Sequence, residues 1–137
     1  MTNISLAQSY IKKANDRVDI LDLLFAKGAY SDVVREAQEI VELALKGILR
    51  YIGIEPPKWH DVSSVLKENK ALLPPKLVKE LPKITRISKR LRKERELAFY
   101  GDEDFIPTEE YDAKDAQDAI RDAKFVVRIV SQTAKLK

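Results

Sequence analysis

Residues 32–52, DVVREAQEIVELALKGILRYI, decide the fold, because their apolar side chains recur every three or four positions. That spacing is the period of an amphipathic α-helix and not the strict alternation of a half-buried strand. The apolar stripe consists of Val33, Ala37, Ile40, Ala44, Ile48 and Ile52. Ser31 is placed to cap the helix, Asp32 lies in its first turn, and Gly53 follows as a terminating residue. The stretch therefore predicts a long helix with one face buried in a core.

The helical period continues on both sides of this stretch. Residues 4–26 repeat it and precede Gly28, so they predict a helix that a short link makes antiparallel to the one at 32–52. On the other side, Asp61 can cap a short helix over residues 62–73, and the two prolines at 74 and 75 end that helix.

Two further long helices complete the pattern. One is predicted to begin near Lys76, with Pro82 either kinking or restarting it. After a loop at 100–110, Asp112 can cap a last helix whose apolar stripe is rich in alanine. No segment alternates as a strand for more than a few residues. The sequence therefore predicts an all-α fold, an up-and-down helical bundle of about five helices, four long and one short.

Composition agrees with a helical, globular chain. Its 137 residues suit one domain, residues 1–137, with one core. Hydrophobic residues make up 45% and charged residues 34%, while glycines number only four, which favours helices over a sandwich or barrel. A high charge content with no Cys and one Met is also common in proteins of thermophiles.

Several classes of function are excluded by what the sequence lacks. Without Cys there can be no disulfide, thiolate nucleophile or cysteine zinc site, and a single His does not make a metal site. The four glycines are isolated, so no phosphate-binding loop is present. No apolar run approaches the roughly 20 residues that span a bilayer, and the first residues are polar. We expect a cytoplasmic protein without metal, cofactor or membrane association.

The charges are strongly segregated although the net charge is only +3. Residues 83–95 contain seven basic side chains and one acid, whereas residues 102–122 contain nine acids against two basic side chains. Two interpretations remain open at this point. The segments can attract each other within the fold, or the basic one can be the footprint of a polyanion.

On a helical wheel, the predicted helix that begins near Lys76 separates its apolar and basic residues. At ~100° per residue the apolar arc contains Leu77, Leu81, Ile84, Ile87 and Leu91. The opposite side, which we call the basic face, contains Lys83, Arg86, Arg90 and Lys93. The basic face is either a solvated surface or a track for a phosphate backbone.

Arg95 differs from the basic face because it lies near the centre of the apolar arc, beside Ser88. A guanidinium that points inward or into a subunit interface must pair with a carboxylate or face a ligand anion. We expect the carboxylate to be Glu42 or an acid of the loop at 102–112.

Residues 28–66 resemble the first half of HEPN (higher eukaryotes and prokaryotes nucleotide-binding) domains. The matching features are a Gly-Tyr turn, a helix with a Glu and a Lys four apart, a Gly, and a His-Asp before the next helix. Here they are Gly28 and Tyr30, Glu42 and Lys46, Gly53, and His60 with Asp61. The second half is similar too, with an Arg-rich helix that runs into RELAFYGDE at 95–103, a loop with a proline, and a final helix.

The resemblance implies an up-and-down helical bundle that forms a homodimer. Many HEPN proteins act beside a small nucleotidyltransferase in toxin–antitoxin modules. Many others are metal-independent ribonucleases whose signature is an Arg followed, after four to six residues, by a His. In those enzymes the Arg holds phosphate and the His supports attack by the ribose 2′-hydroxyl.

This sequence departs from the ribonuclease signature. Arg92 and Arg95 can each provide the Arg, but Ala98 stands where the His is expected, and Tyr100 follows it by two. Tyrosine, with an ordinary pKa near 10, is a poor general base at neutral pH. We therefore expect a non-catalytic dimer that binds nucleotide or RNA phosphate and works with a nucleotidyltransferase.

The candidate binding residues are Arg92, Arg95, Tyr100, Arg86, Arg90 and Lys93, and Glu42, Lys46 and His60 are candidates for supporting them. One alternative is a ribonuclease that uses Arg95 with Tyr100 or with His60. The other is a pure protein-interaction module whose charged segments bind each other or a partner.

Overall fold

The computed structural model describes residues 4–58 and 61–134. Its elements are α1 (Ile4–Ala26), α2 (Tyr30–Tyr51), α3 (Val62–Glu68), a 3-10 turn (Lys70–Leu72), α4 (Pro75–Phe99), α5 (Pro107–Glu110) and α6 (Ala113–Thr133). Apart from an isolated bridge between Asp102 and Phe105, these residues contain no strand. The predicted all-α fold with four long helices is confirmed. Among the described helices, none combines the length and the apolar character that crossing a bilayer requires.

Helix α2 lies at the centre of the bundle and packs against α1, α4 and α6. Five residues of its predicted stripe are buried, and so are the five apolar residues predicted on α4. Gly47 allows α1 to approach closely, since a Cβ there would lie 2.7 Å from Cγ1 of Ile11. The core therefore forms around α2.

The helix ends follow the predicted capping residues with one exception. Asp61 caps α3 by accepting the Ser63 N–H at 3.1 Å, and Asp112 caps α6 in a reciprocal capping box with Asp115. The predicted cap at Ser31 is wrong, because α2 already begins at Tyr30 and Ser31 is buried without a capping bond. Tyr30, the first residue of α2, packs against Phe25 of α1, with ring centroids 5.4 Å apart.

Two predictions about where helices are interrupted or end differ from the structure. Of the two alternatives for Pro82, the restart is wrong, because α4 continues from Pro75 to Phe99 with the proline inside it. Helix α3 ends at Glu68, earlier than predicted, and the 3-10 turn covers the rest of the predicted segment. The predicted loop at 100–110 includes the four-residue helix α5.

A tight turn follows α4 and fixes where Tyr100 lies. Gly101 has φ +71°, and a Cβ there would meet the Phe105 carbonyl oxygen at 2.3 Å. The Asp102 N–H donates to that same oxygen at 3.0 Å, which closes the turn. Only glycine fits a left-handed backbone with so close an approach. The chain therefore turns back sharply just after Tyr100.

Candidate anion-binding site

A groove of about 340 Å³ lies at the C-terminal end of α4, and we call it the arginine groove. Its lining residues are Arg35, Arg92, Arg95, Glu96, Phe99 and Tyr100. The structure thus brings together three of the residues predicted from the sequence, Arg92, Arg95 and Tyr100.

Three residues of the groove were not predicted from the sequence: Arg35, Glu96 and Phe99. The guanidinium carbon of Arg35, on α2, lies 4.5 Å from the centre of the Phe99 ring at the end of α4. Contact between the start of α2 and the end of α4 depends on how the helices cross, which one helical wheel does not show. Phe99 could have been predicted from its spacing on α4, because it follows Arg92 and Arg95 at intervals that place all three on one face of a helix.

Arg95 forms an ion pair with α2, and its partner is Glu39 instead of the predicted Glu42 or loop acids. Its Nη2 atom lies 2.8 Å from Oε1 of Glu39, and Nη2 of Arg35 lies 4.0 Å from the same oxygen. The Arg95 side chain is 50% exposed, so the expected inward orientation is wrong. A long arginine side chain can run along an apolar surface and leave its guanidinium in water.

The four residues of the basic face are exposed, as predicted, and none of them lines the arginine groove. Two of them contact α6. Arg90 donates to Asp122 at 2.5 Å, and Nζ of Lys83 lies 3.9 Å from the centre of the Phe125 ring. The attraction between the basic and acidic segments therefore operates within the fold at the Arg90–Asp122 pair.

Replacing Arg90 by alanine is expected to destabilise the fold rather than weaken RNA binding. The Asp122 carboxylate is 8% exposed, and without Arg90 its remaining ionic partner is Arg121 at 3.5 Å. Because Arg90 is half exposed, we expect a loss of about 1–2 kcal/mol in the free energy of unfolding, less than for a fully buried pair. Urea denaturation measures it, and Arg86→Ala is the matched control, expected within about 0.5 kcal/mol of the parent. Unchanged stability with a flatter salt dependence of RNA binding would instead assign Arg90 to a phosphate track.

Two of the three predicted supporting residues, Glu42 and Lys46, lie outside the groove. Nζ of Lys46 lies 3.9 Å from Oε1 of Glu42, and Gln38 donates to the other oxygen of Glu42 at 3.4 Å. Neither Glu42 nor Lys46 lines the arginine groove. His60 lies outside the described residues.

A second groove, of about 310 Å³, lies between α4, α6 and the segment before α6, and it is mainly acidic. Its charged lining residues are Arg90, Glu94, Glu110, Asp115 and Asp118. The Tyr111 hydroxyl donates to Glu94 at 2.5 Å, and burial together with this bond raises the pKa of Tyr111 above its ordinary value. The neutral hydroxyl thus anchors the segment before α6 to α4. Four carboxylates make this groove a poor site for phosphate.

Within residues 4–58 and 61–134, no three His, Asp or Glu side chains come together as a candidate metal site. The charged groups that line the arginine groove are three guanidinium groups and the carboxylate of Glu96.

The comparisons with known proteins concern almost the whole chain. Residues 7–133 match the family model of the HEPN domain. A protein of Methanocaldococcus jannaschii named "putative toxin" is 29% identical over 141 residues, covering 98% of this chain and 92% of the relative. No solved structure gives a significant match.

Proposed function

Since the chain belongs to the HEPN domain family, we propose that residues 1–137 form one HEPN-like domain that binds nucleotide or RNA phosphate without cleaving it. The observation that carries the proposal is the arginine groove, where three guanidinium groups and two aromatic rings converge. A planar guanidinium offers paired N–H donors that match two oxygens of one phosphate, which makes arginine well suited to this ligand.

The aromatic residues of the groove favour a nucleotide over an inorganic anion. Phe99 is 46% exposed and Tyr100 is 75% exposed, which is unusual for large rings that could pack in a core. Their centroids lie 4.7 Å apart in an edge-to-face arrangement. Exposed rings beside basic side chains are the usual platform on which unpaired bases stack.

The non-catalytic part of the proposal depends on Ala98. Its side chain is 1% exposed, and it carries no group that could accept or donate a proton. In HEPN ribonucleases the residue expected at this position is the His that assists the 2′-hydroxyl. A groove that keeps the arginines without that His can hold RNA but lacks the general base.

We further propose that the protein forms a homodimer and acts in the cytoplasm with a nucleotidyltransferase, as part of a toxin–antitoxin-like module. The name of the Methanocaldococcus jannaschii relative supports the toxin-like assignment. The apolar side chains of Leu23, Leu72 and Ile106 are exposed, and burial against a second copy would remove them from water.

Dimerisation predicts a molar mass in solution of about 31 kDa, twice the 15.7 kDa of the chain. Size-exclusion chromatography with light scattering at micromolar concentration measures it. A homodimer of this kind would have a two-fold axis and one repeated interface. A clean monomer would contradict this part of the proposal while leaving phosphate binding open.

RNA binding without cleavage is the central expected result. Purified protein should bind a single-stranded RNA at low salt, with an affinity that falls as salt rises, because phosphate contacts release counterions. The same RNA should stay intact at neutral pH over hours, as gel electrophoresis of the labelled strand would show. Absence of binding at low salt would favour the interaction-module alternative.

The ribonuclease alternative is favoured by one observation, that Tyr100 lines the same groove as Arg95. It predicts robust cleavage that disappears in both Arg95→Ala and Tyr100→Phe. Cleavage that persists in both variants would come from a contaminant.

A further inference from the structure

Glu39 places a negative charge directly against the arginines of the groove. Its Oε1 atom lies 2.8 Å from Nη2 of Arg95 and 4.0 Å from Nη2 of Arg35, and its side chain is 23% exposed. Both of these arginines line the groove, one from α4 and one from α2. An anion that binds either of them therefore comes under the influence of the Glu39 charge.

The contact with Glu39 leaves the arginines able to bind a second anion. Arg95 meets the carboxylate through one nitrogen, and a guanidinium has five N–H donors in a planar fork. Arg35 makes only distant contacts, from Nη2 to that oxygen at 4.0 Å and from Nη1 to Oε2 of Glu36 at 3.9 Å. A phosphate can therefore bind the free edges of the guanidinium groups while Glu39 stays in place and repels it.

The charges of the site limit how much negative charge it can neutralise. Three arginines line the groove, and two carboxylates offset them, Glu39 and the groove residue Glu96, which leaves a balance of +1. Glu36 lies 3.9 Å from Arg35, but its charge is offset by Arg17, which donates to it at 2.8 Å. A phosphodiester within an RNA strand carries one negative charge and matches that balance. A terminal phosphate carries nearly two near neutral pH, since its second pKa is about 6. The second charge would meet repulsion that the arginines no longer offset.

We propose that Glu39 is a specificity-determining residue that makes the arginine groove favour a singly charged phosphodiester over a doubly charged terminal phosphate. This inference rests on the proposed function and deepens it, because it assigns the ligand to the interior of an RNA strand. Glu39 acts through its charge on the ligand, in addition to orienting Arg95.

Two small ligands that differ in one unit of charge test this role. Adenosine 5′-monophosphate at pH 8 is doubly charged, and its methyl phosphate ester is a singly charged diester with the same base and sugar. Isothermal titration calorimetry gives the Kd of each ligand for the parent protein, Glu39→Gln and Glu42→Gln. The measured quantity is the ratio of the two affinities within each protein, which cancels any general effect of a substitution on the groove.

In Glu39→Gln, the affinity for the monophosphate should rise more than that for the ester. Removing one nearby negative charge should raise the affinity on the order of tenfold for each negative charge that the ligand carries. The ratio of the two affinities, which measures the preference for the ester, should therefore fall about tenfold. Glu42→Gln removes the same charge about one turn away, outside the groove, and should keep the parent ratio.

Two different negative results are distinguishable. An equal ratio in the parent and Glu39→Gln, with both ligands bound, would overturn the role of Glu39 and leave the proposed function standing. Binding of neither ligand to the parent or to Glu39→Gln would overturn the arginine groove as a phosphate site, and the role of Glu39 with it.

Discussion

Replacing Arg92 and Arg95 together by alanine is expected to lower the affinity for single-stranded RNA by about a hundredfold or more at low salt. A hydrogen bond from a charged donor contributes about 1.5–3 kcal/mol, so two lost phosphate contacts correspond to that change. The fold should survive, because Arg92 is exposed and Arg95 is half exposed, and a partly exposed ion pair such as Arg95–Glu39 contributes about 1 kcal/mol. Fluorescence anisotropy with labelled RNA measures the affinity, and urea denaturation checks the fold.

The matched control is the double variant Arg86→Ala with Lys93→Ala. It removes the same two charges from the same helix, and both side chains are exposed but lie outside the groove. Only the long-range attraction should weaken, so we expect a loss of a few-fold that disappears at higher salt. Equal losses in the two double variants would mean that RNA follows the general positive charge of α4 and that the groove has no special role.

Much of the fold could be predicted because each long helix carries its own signal. The apolar stripes of α2 and α4 are properties of single segments, and they determine which face is buried. Asp61 and Asp112 likewise act on their own helices, so their caps could be identified from local sequence. The cap at Ser31 was wrong because α2 begins one residue earlier, at Tyr30, whose ring contacts Phe25 of α1, and a contact between helices does not show in the local pattern.

In the candidate site, too, the residues of one segment could be predicted and those contributed by another helix could not. Arg92, Arg95 and Tyr100 are close in sequence, so the pattern along α4 was enough to single them out. Arg35 and Glu39 lie more than fifty residues earlier, and nothing in their own segment distinguishes them from other charged positions of a helix surface. Their importance arises only where the start of α2 meets the end of α4.

The basic face shows how charge can mislead when read from one helix. On the wheel its four residues look equivalent, but in the fold Arg90 is paired with Asp122 and Lys83 lies over Phe125. Arg90 is paired with a nearly buried carboxylate outside the arginine groove, whereas the three groove arginines together keep a positive balance against Glu39 and Glu96. The positions of neighbouring helices therefore decide which cations of α4 are available to a ligand.

Restoring the ribonuclease His at its expected position should damage the fold. Ala98 is 1% exposed in the core, and an imidazole there would overpack its neighbours and bury a polar ring. We expect Ala98→His to lower the free energy of unfolding by about 3 kcal/mol, from overpacking and from unpaired ring nitrogens. Urea denaturation gives the value, and RNA cleavage should not appear.

The informative comparison is Tyr100→His. Four residues separate Arg95 from position 100, so this substitution creates the Arg-x4-His spacing from Arg95. Tyr100 is 75% exposed, so this substitution should change the free energy of unfolding by about 0.5 kcal/mol or less. If Ala98→His proved as stable as the parent, the end of α4 would have to shift so that position 98 reaches solvent. In that event an imidazole could enter the groove beside Arg92 and Arg95, and the loss of the His, rather than the packing around Ala98, would be what separates this protein from a ribonuclease.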